Sequence, residues 1–306
     1  MSEPRPAKPC AITVDVDGLD LYARLHGLPA SVAGPQAWTR GVRRFLDLFD
    51  RRGIRATLFI VGQDVAVAGP ARDLAQEAAR KGHELANHTL THPFDLVRRS
   101  VEAQRREVAG GAEAIEGATG RAPIGFRAPG YTVSEQLLEV VAESGHDYDA
   151  SALPCPAYVL AKSAVMAGLR LRGRESSAIE GGLAAAAGPR RPHRASQGGG
   201  LLRIPISTTP FTRLPLFGAT LAALGPRWLK AVLPGLLASL PLLHVELHAV
   251  DLVGVLEDGL HPSLAVRPDP GSRSLRSKAL RLEMCLDVLA QACRFETLAS
   301  ARLSLP

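Results

Sequence analysis

The sequence predicts an α/β fold on a parallel sheet, open or closed into a barrel. Two observations carry that class. Short apolar strands alternate with helical stretches through the first half of the 306 residues, the pattern of successive β-α units. The residues equipped for chemistry fall at the carboxyl ends of those strands, where parallel α/β folds collect reactive groups. A hydrophobic content of 46% supplies a large core and excludes wholesale disorder.

The elements follow in order. Residues 1–10 read as an N-terminal tail, with no apolar run of the kind a secretory signal needs. "CAITVDVDG" is an apolar strand ending in acids. In "AWTRGVRRFLDLFDRRGI", Val42, Phe45, Leu46, Leu48 and Phe49 recur at helical spacing. "RATLFIVG" is a second buried strand, and "GPARDLAQEAARKG" a helix with Pro near its start and Gly after its end. "HELANHT" is a third strand, followed by a long helix through "DLVRRSVEAQRREVAGGAEAIEGATG". "PIGFRAPG", "SEQLLEVVAESG" and "HDYDAS" give strand, helix, strand. The period then breaks into an irregular or helical excursion at about 160–240. Within it, 168–200 is rich in Gly, Ala and Arg and reads as an irregular, mobile loop. "LLRIPIST" resumes as a strand, and "LLHVELHAVDL" is a late buried strand. "SLRSKALRLEMCLDVLAQAC" closes as a helix, and "RFETLAS" as a short strand. Neither a repeat nor a linker divides the chain, so residues 1–306 are expected to form one domain.

Charge and composition narrow the partners. The net charge is +6 and the pI about 9.4, which favours anionic partners. Aromatics are only 5%, and no stretch interleaves them with basic residues. A single-strand nucleic-acid reader is therefore not expected. Cys10, Cys155, Cys285 and Cys293 lack the close spacing of a zinc knuckle or redox motif, so free thiols in a reducing cytosol are expected. Asn87-His88-Thr89 fits the glycosylation sequon and is read as a chance match.

Two distant fragments make chemical sense together. Asp15 and Asp17 end the first strand, and His88 and His92 lie in "NHTLTHPFD". One Asp with two His can hold Zn²⁺ and leave a position open, with Co²⁺, Ni²⁺ or Fe²⁺ also compatible. The second Asp is then free to take a proton from water. Two surface histidines, or a Ca²⁺ loop at the acids, are the rival readings. The apolar strand before the acids and the absence of further acids beside them argue against a Ca²⁺ loop. Arg127 falls in the fourth strand, Asp149 in the fifth, and His248 ends the late strand, all at one edge of the sheet. A buried ion pair for Arg127 and a core histidine for His248 are their structural alternatives. His244 and Glu246 could share a face with His248; His244 and His83 read as structural.

The set resembles the NodB-type polysaccharide deacetylases (carbohydrate esterase family 4) from about Ile12 to Leu252. These enzymes remove acyl groups from sugars on a distorted (β/α) barrel. The spaced "DVDG" is similar to the D-V-D branch of the family. The resemblance implies Asp15 as general base, Asp17 with His88 and His92 as the metal triad, and Arg127 of "FRAPGY" paired to the base. It implies His248 of "ELHAVDL" as general acid, with Asp251 or Asp149 raising its pKa. Asp149 of "YDAS" is placed near the pocket, and backbone N–H groups after Pro129 at the oxyanion. Gly130, which intervenes before Tyr131, and a fourth motif without Trp depart from the family pattern.

The implied function is metal-dependent removal of an acetyl or formyl group from an amino sugar. The apolar stretch Leu214–Leu243 is interrupted by Pro226, Arg227, Lys230 and Pro234, so it is too broken to span a membrane. It reads either as a buried helical excursion or as an interfacial element. Arg170, Arg172, Arg174, Arg190, Arg191 and Arg194 precede it and could meet phosphate. Together these features point to a lipid- or phosphate-linked amino sugar, met in the cytoplasm at the inner membrane face through peripheral contact. "HVELHAVD" is also similar to the branch that deformylates a formamido-arabinose carried on polyprenyl phosphate. A small non-sugar amide such as a cyclic ureide, or non-catalytic binding of a glycan or lipid, are the alternatives.

Overall fold

The computed structural model describes residues 7–25, 28–29, 31, 33–171, 186–196, 199–262, 264 and 274–305. Nine strands form one mixed sheet: β1 Lys8–Val16, β2 Thr57–Ile60, β3 Glu84–Asn87, β4 Gly125–Phe126, β5 Tyr148–Asp149, β6 His193–Arg194, β7 Leu202–Arg203, β8 Leu243–His248 and β9 Cys293–Phe295. The order is β6-β7-β5-β4-β3-β2-β1-β8, with β9 beside the start of β1. All pairings are parallel except β6 with β7.

The sheet curls into a distorted barrel. Its two sides approach through the chain after β7: Ser207 N–H donates to the His244 carbonyl, and Glu246 N–H to the Leu216 carbonyl, both at 3.0 Å. The strands are short, so most of each β-α unit is turn and helix. Register places Asp15 opposite both His248 and Phe59. Two neighbouring strands thus bring acids and imidazoles to one end of the sheet.

Helices α2 Arg43–Arg52, α4 Pro70–Arg80, α5 Val101–Thr119 and α6 Glu135–Glu143 fall in the expected order, with α1 Leu19–Leu25 and α3 Gly62–Ala66 additional to it. Pro70 starts α4 as expected. Ser100 and Ser134 cap α5 and α6 by accepting the N–H groups of Ala103 and Leu137. Gly53 and Gly120 end α2 and α5 in the left-handed region. The face of α2 bearing Phe45, Leu46, Leu48 and Phe49 is buried in the main core.

Four expectations change. β1 begins at Lys8 and so takes in the last residues assigned to the tail. The excursion opens with a helix, α7 Pro156–Leu171, which overruns the start of the expected loop. β6 lies inside that loop and pairs with β7. The described arginines there are partly spent on the protein's own backbone: Arg190 on the Thr208 carbonyl and Arg194 on the Gly200 carbonyl. Arg172 and Arg174 lie outside the described residues.

The apolar stretch is a core element. Helix α8 Gly218–Ser239 is broken at Gly225 (φ 71°), where Arg281 packs and donates to the Ala223 carbonyl at 2.8 Å. Leu221, Leu229, Leu233 and Leu236 are buried against β8 and the closing helix α9 Leu275–Ala290. No helix among the described residues is long and apolar enough to cross a membrane. All four cysteines are free and buried. Asn87 of the sequon is also buried, its amide donating to the Val108 carbonyl at 2.8 Å.

Candidate metal and catalytic site

β3 ends in a turn that the sequence has to hold by force. Thr89 and His92 both have positive φ, 69° and 56°, a conformation costly for residues with a Cβ. Asn87 Oδ1 accepts the Thr89 N–H at 2.9 Å, and Thr89 Oγ1 accepts the His92 N–H at 3.0 Å. Glu107 of α5 accepts from Thr91 N–H and Oγ1–H at 2.9 and 2.7 Å. These bonds turn His88 and His92 toward each other, with ring centroids 4.7 Å apart.

Asp17, just past β1, completes the cluster. Its Oδ1 lies 3.3 Å from His88 Nε2 and 3.5 Å from His92 Nε2, and it has no hydrogen-bond partner although buried. His88 Nδ1 donates to the Arg127 carbonyl at 2.7 Å, which leaves Nε2 as an electron-pair donor in the neutral ring. Burial drives the His92 pKa down to about 3 despite the pull of Asp17, so that ring is neutral. Burial also opposes charge on His88 and on Asp17. Asp17 and Asp15 outweigh it at His88, raising that pKa, and His92, His88 and His248 outweigh it at Asp17, lowering that one. Three electron-pair donors therefore converge on one point, and only a cation or a proton relieves their repulsion. One carboxylate and two imidazoles fit Zn²⁺ and its neighbours in the first transition row.

The second acid is held differently. Arg127, fully buried just after β4, donates through Nη1 to Asp15 Oδ1. Arg127 is itself fixed on every side. Nε donates to the Ala150 carbonyl at 3.1 Å, and Nη2 to Thr13 Oγ1 at 3.2 Å and His244 Nε2 at 2.8 Å. Phe59 covers the guanidinium 4.0 Å away. Accepting from Arg127 fixes the His244 tautomer, and its Nδ1–H donates to the Pro205 carbonyl at 3.2 Å. His244 is thus the structural residue expected. Asp15 Oδ2 faces the centre, 3.9 Å from His88 Nε2.

His248 occupies the opposite wall. Its Nε2 is 4.0 Å from Asp17 Oδ2 and 3.3 Å from the Tyr131 hydroxyl. The carboxylate on its Nδ1 is neither Asp251 nor Asp149. It is Glu246, at 3.0 Å. Asp251 instead accepts the His248 backbone N–H at 2.8 Å. Asp149 is occupied by Arg203 Nε at 3.1 Å and by the hydroxyl of Ser151, whose Oγ accepts the Ala128 N–H at 2.8 Å. It braces the turn after Arg127 and has no bond to His248. Glu246 is fully buried; Oε1 accepts the Tyr131 O–H at 3.0 Å and Oε2 has no partner. Burial pushes its pKa up to about 7, opposed by His248 and Arg127. Burial works against charge on His248, but Glu246, Asp17 and Asp15, and to a smaller extent the expected Asp251, together raise its pKa.

Asp15, Glu246 and His248 also lie close enough to hold an ion. Charge balance argues for a proton there instead. Asp15, Asp17 and Glu246 against Arg127 leave two negative charges, which one divalent cation at Asp17, His88 and His92 neutralises. A second ion would leave the buried centre strongly positive.

The structure therefore gathers Asp15, Asp17, His88, His92, Arg127 and His248, and sets Asp149 in support. Sequence reading missed Glu246 and Tyr131 as site residues. Glu246 was within reach, because residues two apart on a strand share a face. Tyr131 was not. It arrives through a turn in which Gly130 and Tyr131 both have positive φ, 62° and 61°.

The sequence profile of the polysaccharide deacetylase family matches residues 6–148, which carry five of the six gathered residues. The likeness to that family is thus carried by just under half of the chain. The chain is 35% identical over 101 residues to a chitooligosaccharide deacetylase of Bradyrhizobium sp. (strain ANU 289), covering 33% of this chain and 44% of that one. It is 38% identical over 82 residues to a chitooligosaccharide deacetylase of Rhizobium leguminosarum bv. trifolii, covering 27% and 35%. The matches thus span less than half the length of these relatives. The fold is similar to a candidate polysaccharide deacetylase from Mycobacterium smegmatis (TM-score 0.62, 19% identity, 100% of this chain and 92% of that one). It is equally close to Puue allantoinase (TM-score 0.60, 16% identity, 98% and 91%). The barrel is shared with both, so the fold alone does not choose the substrate.

Proposed function

We propose that this chain is a metal-dependent hydrolase that removes an N-acyl group, acetyl or formyl, from an amino sugar. The observation that carries this is the unpartnered Asp17 Oδ1 between two imidazole nitrogens at 3.3 and 3.5 Å. Asp17, His88 and His92 would hold the cation, with Zn²⁺ expected. When bound, it would acidify water and polarise the acyl carbonyl.

The chain's own groups supply the rest. Asp15 Oδ2 takes a proton from the attacking water, while Arg127 holds Oδ1 and fixes the carboxylate in place. His248 Nε2 delivers a proton to the departing nitrogen, so amide and water become carboxylate and amine. Glu246 holds Nδ1, fixing the ring and favouring its charged form. Tyr131 bonds to Glu246 and lies beside His248 Nε2, setting the wall against which the leaving group sits.

The test is acetate or formate release from acylated amino sugars, run beside a panel of cyclic and linear non-sugar amides. Turnover of an amino sugar, reduced at least a thousandfold by Asp15→Asn with metal retained, supports the reading. Turnover confined to non-sugar amides moves the assignment to a small-amide hydrolase. Glycan binding without turnover moves it to a binding protein. A lipid-linked substrate met at the cytoplasmic membrane face is the finer form of the proposal. It is supported by the basic balance of the chain rather than by α8, which is spent on the core.

A further inference from the structure

A cavity of about 330 Å³ is lined by Tyr131, the residue that bonds to Glu246. Tyr131, Tyr158 and Leu153 give it an apolar side, and Lys162 and Arg203 a cationic one. Its volume is at the lower end for small-molecule sites.

Lys162 is the unexplained group. It projects from α7, half-buried, and forms no hydrogen bond or ion pair with any described residue. Burying an ammonium without a partner is costly, and burial alone lowers its pKa. The ammonium lies over Gly130. A Cβ built there would stand 3.3 Å from Lys162 Nζ and 3.4 Å from Phe94. Phe94 packs edge-on against the metal-site residue His92 at 4.7 Å. Gly130, which departs from the family pattern, thus leaves room for the ammonium beside Phe94. Arg203, also in the wall, directs Nε to Asp149. Among the described residues the acid lining the cavity is Glu135, which is exposed.

We propose that this cavity is a recognition subsite for an oxyanion carried by the substrate, a phosphate ester or carboxylate, contacted by Lys162 and walled by Tyr131 and Tyr158. The proposal rests on the amino-sugar hydrolase reading and specifies its substrate as an anionic one. A lysine is a point charge, so it selects charge and position rather than phosphate over carboxylate.

The probe is N-acetylglucosamine 1-phosphate against neutral N-acetylglucosamine, titrated calorimetrically into the full chain. Zinc-loaded and chelator-treated protein are both used, because phosphate can also bind a metal directly. The expected result is at least tenfold tighter binding of the phosphate in both forms. Lys162→Met brings the ratio of affinities close to one, and Lys162→Arg restores most of it. Equal affinities, a preference lost on chelation, or a preference untouched by Lys162→Met would each overturn the subsite. Acetate release is read separately. Lys162-dependent binding without acetate from any sugar sinks the hydrolase and leaves the subsite standing; acetate release without the preference does the reverse. A short prenyl phosphodiester of the same sugar identifies the source of the anion. Binding of the diester points to a lipid carrier and binding of the monoester alone to a soluble sugar phosphate, and either supports the subsite.

Discussion

Glu246 determines where the proton sits in this site. Its Oε1 is shared by the Tyr131 hydroxyl and His248 Nδ1, and its Oε2 has no partner. Glu246→Gln keeps the shape and removes the charge that stabilises imidazolium. It is expected to lower kcat by about 10- to 100-fold, with metal content unchanged in elemental analysis; unaltered kcat would remove Glu246 from the mechanism. A second residue tests electrostatics through stability. Burial, helped by Asp20 and Asp17, pushes the Asp64 pKa from its ordinary 3.8 to about 6, against the hydrogen bond from Trp38. The folded chain therefore holds this proton more tightly than the unfolded one, and stability falls as pH rises from about 4 to about 6. Asp64→Asn keeps an acceptor for Trp38 and removes that loss. In metal-free protein it should be more stable than wild type at pH 8, by on the order of 2 kcal/mol, and the two should converge near pH 4. Urea denaturation at both pH values checks this, and identical curves at pH 8 would contradict it.

At the scale of elements, the metal turn is fixed by helices that can come no closer. A Cβ on Gly111 of α5 would stand 2.3 Å from Asn87 Oδ1 and 2.7 Å from the Thr89 carbonyl carbon. A Cβ on Gly62 of α3 would meet the Gly111 Cα at 2.8 Å. Gly111→Ala must push α5 off the turn that carries His88 and His92. The expected cost is about 1–3 kcal/mol, together with weakened metal retention. Gly117→Ala, six residues on in the same helix and with open space around it, should instead be neutral or gain up to about 1 kcal/mol from helix propensity. Thermal melts of the pair separate a tight contact from a general intolerance of change.

The same elements show what was legible. The alternation of strand and helix as far as β5 was readable, because each unit carries its own periodicity and caps. The gathering of Asp15, Asp17, His88 and His92 was readable because strand ends in a parallel sheet meet at one edge. The excursion was not. β6 has two residues and is defined by pairing with β7, a tertiary fact with no local signature. The helical run of α7 also gave no strong signal, because only part of it faces the core. Asp149 shows the limit for single residues. Its place at a strand end was right, but its oxygens are spent on Arg203 and Ser151, and sequence does not reveal such pairings.

For the whole molecule, binding at the centre and stability of the barrel are linked. The candidate ligands come from the ends of β1 and β3, strands that flank β2 in the middle of the sheet order. Zinc at a hundredfold excess over its Kd would stabilise the native chain by about 2.7 kcal/mol, and chelation should lower Tm correspondingly. A Tm indifferent to chelation in wild type would detach the cation from the fold. The central claim, that Asp17, His88 and His92 hold one cation, is tested most directly by elemental mass spectrometry on protein purified without a metal-affinity tag. The account predicts close to one divalent ion per chain in wild type and in Asp15→Asn, and its loss in Asp17→Ala and in His88→Ala. Wild-type protein that takes up no ion after reconstitution, or an Asp17→Ala variant that keeps its ion, would contradict it.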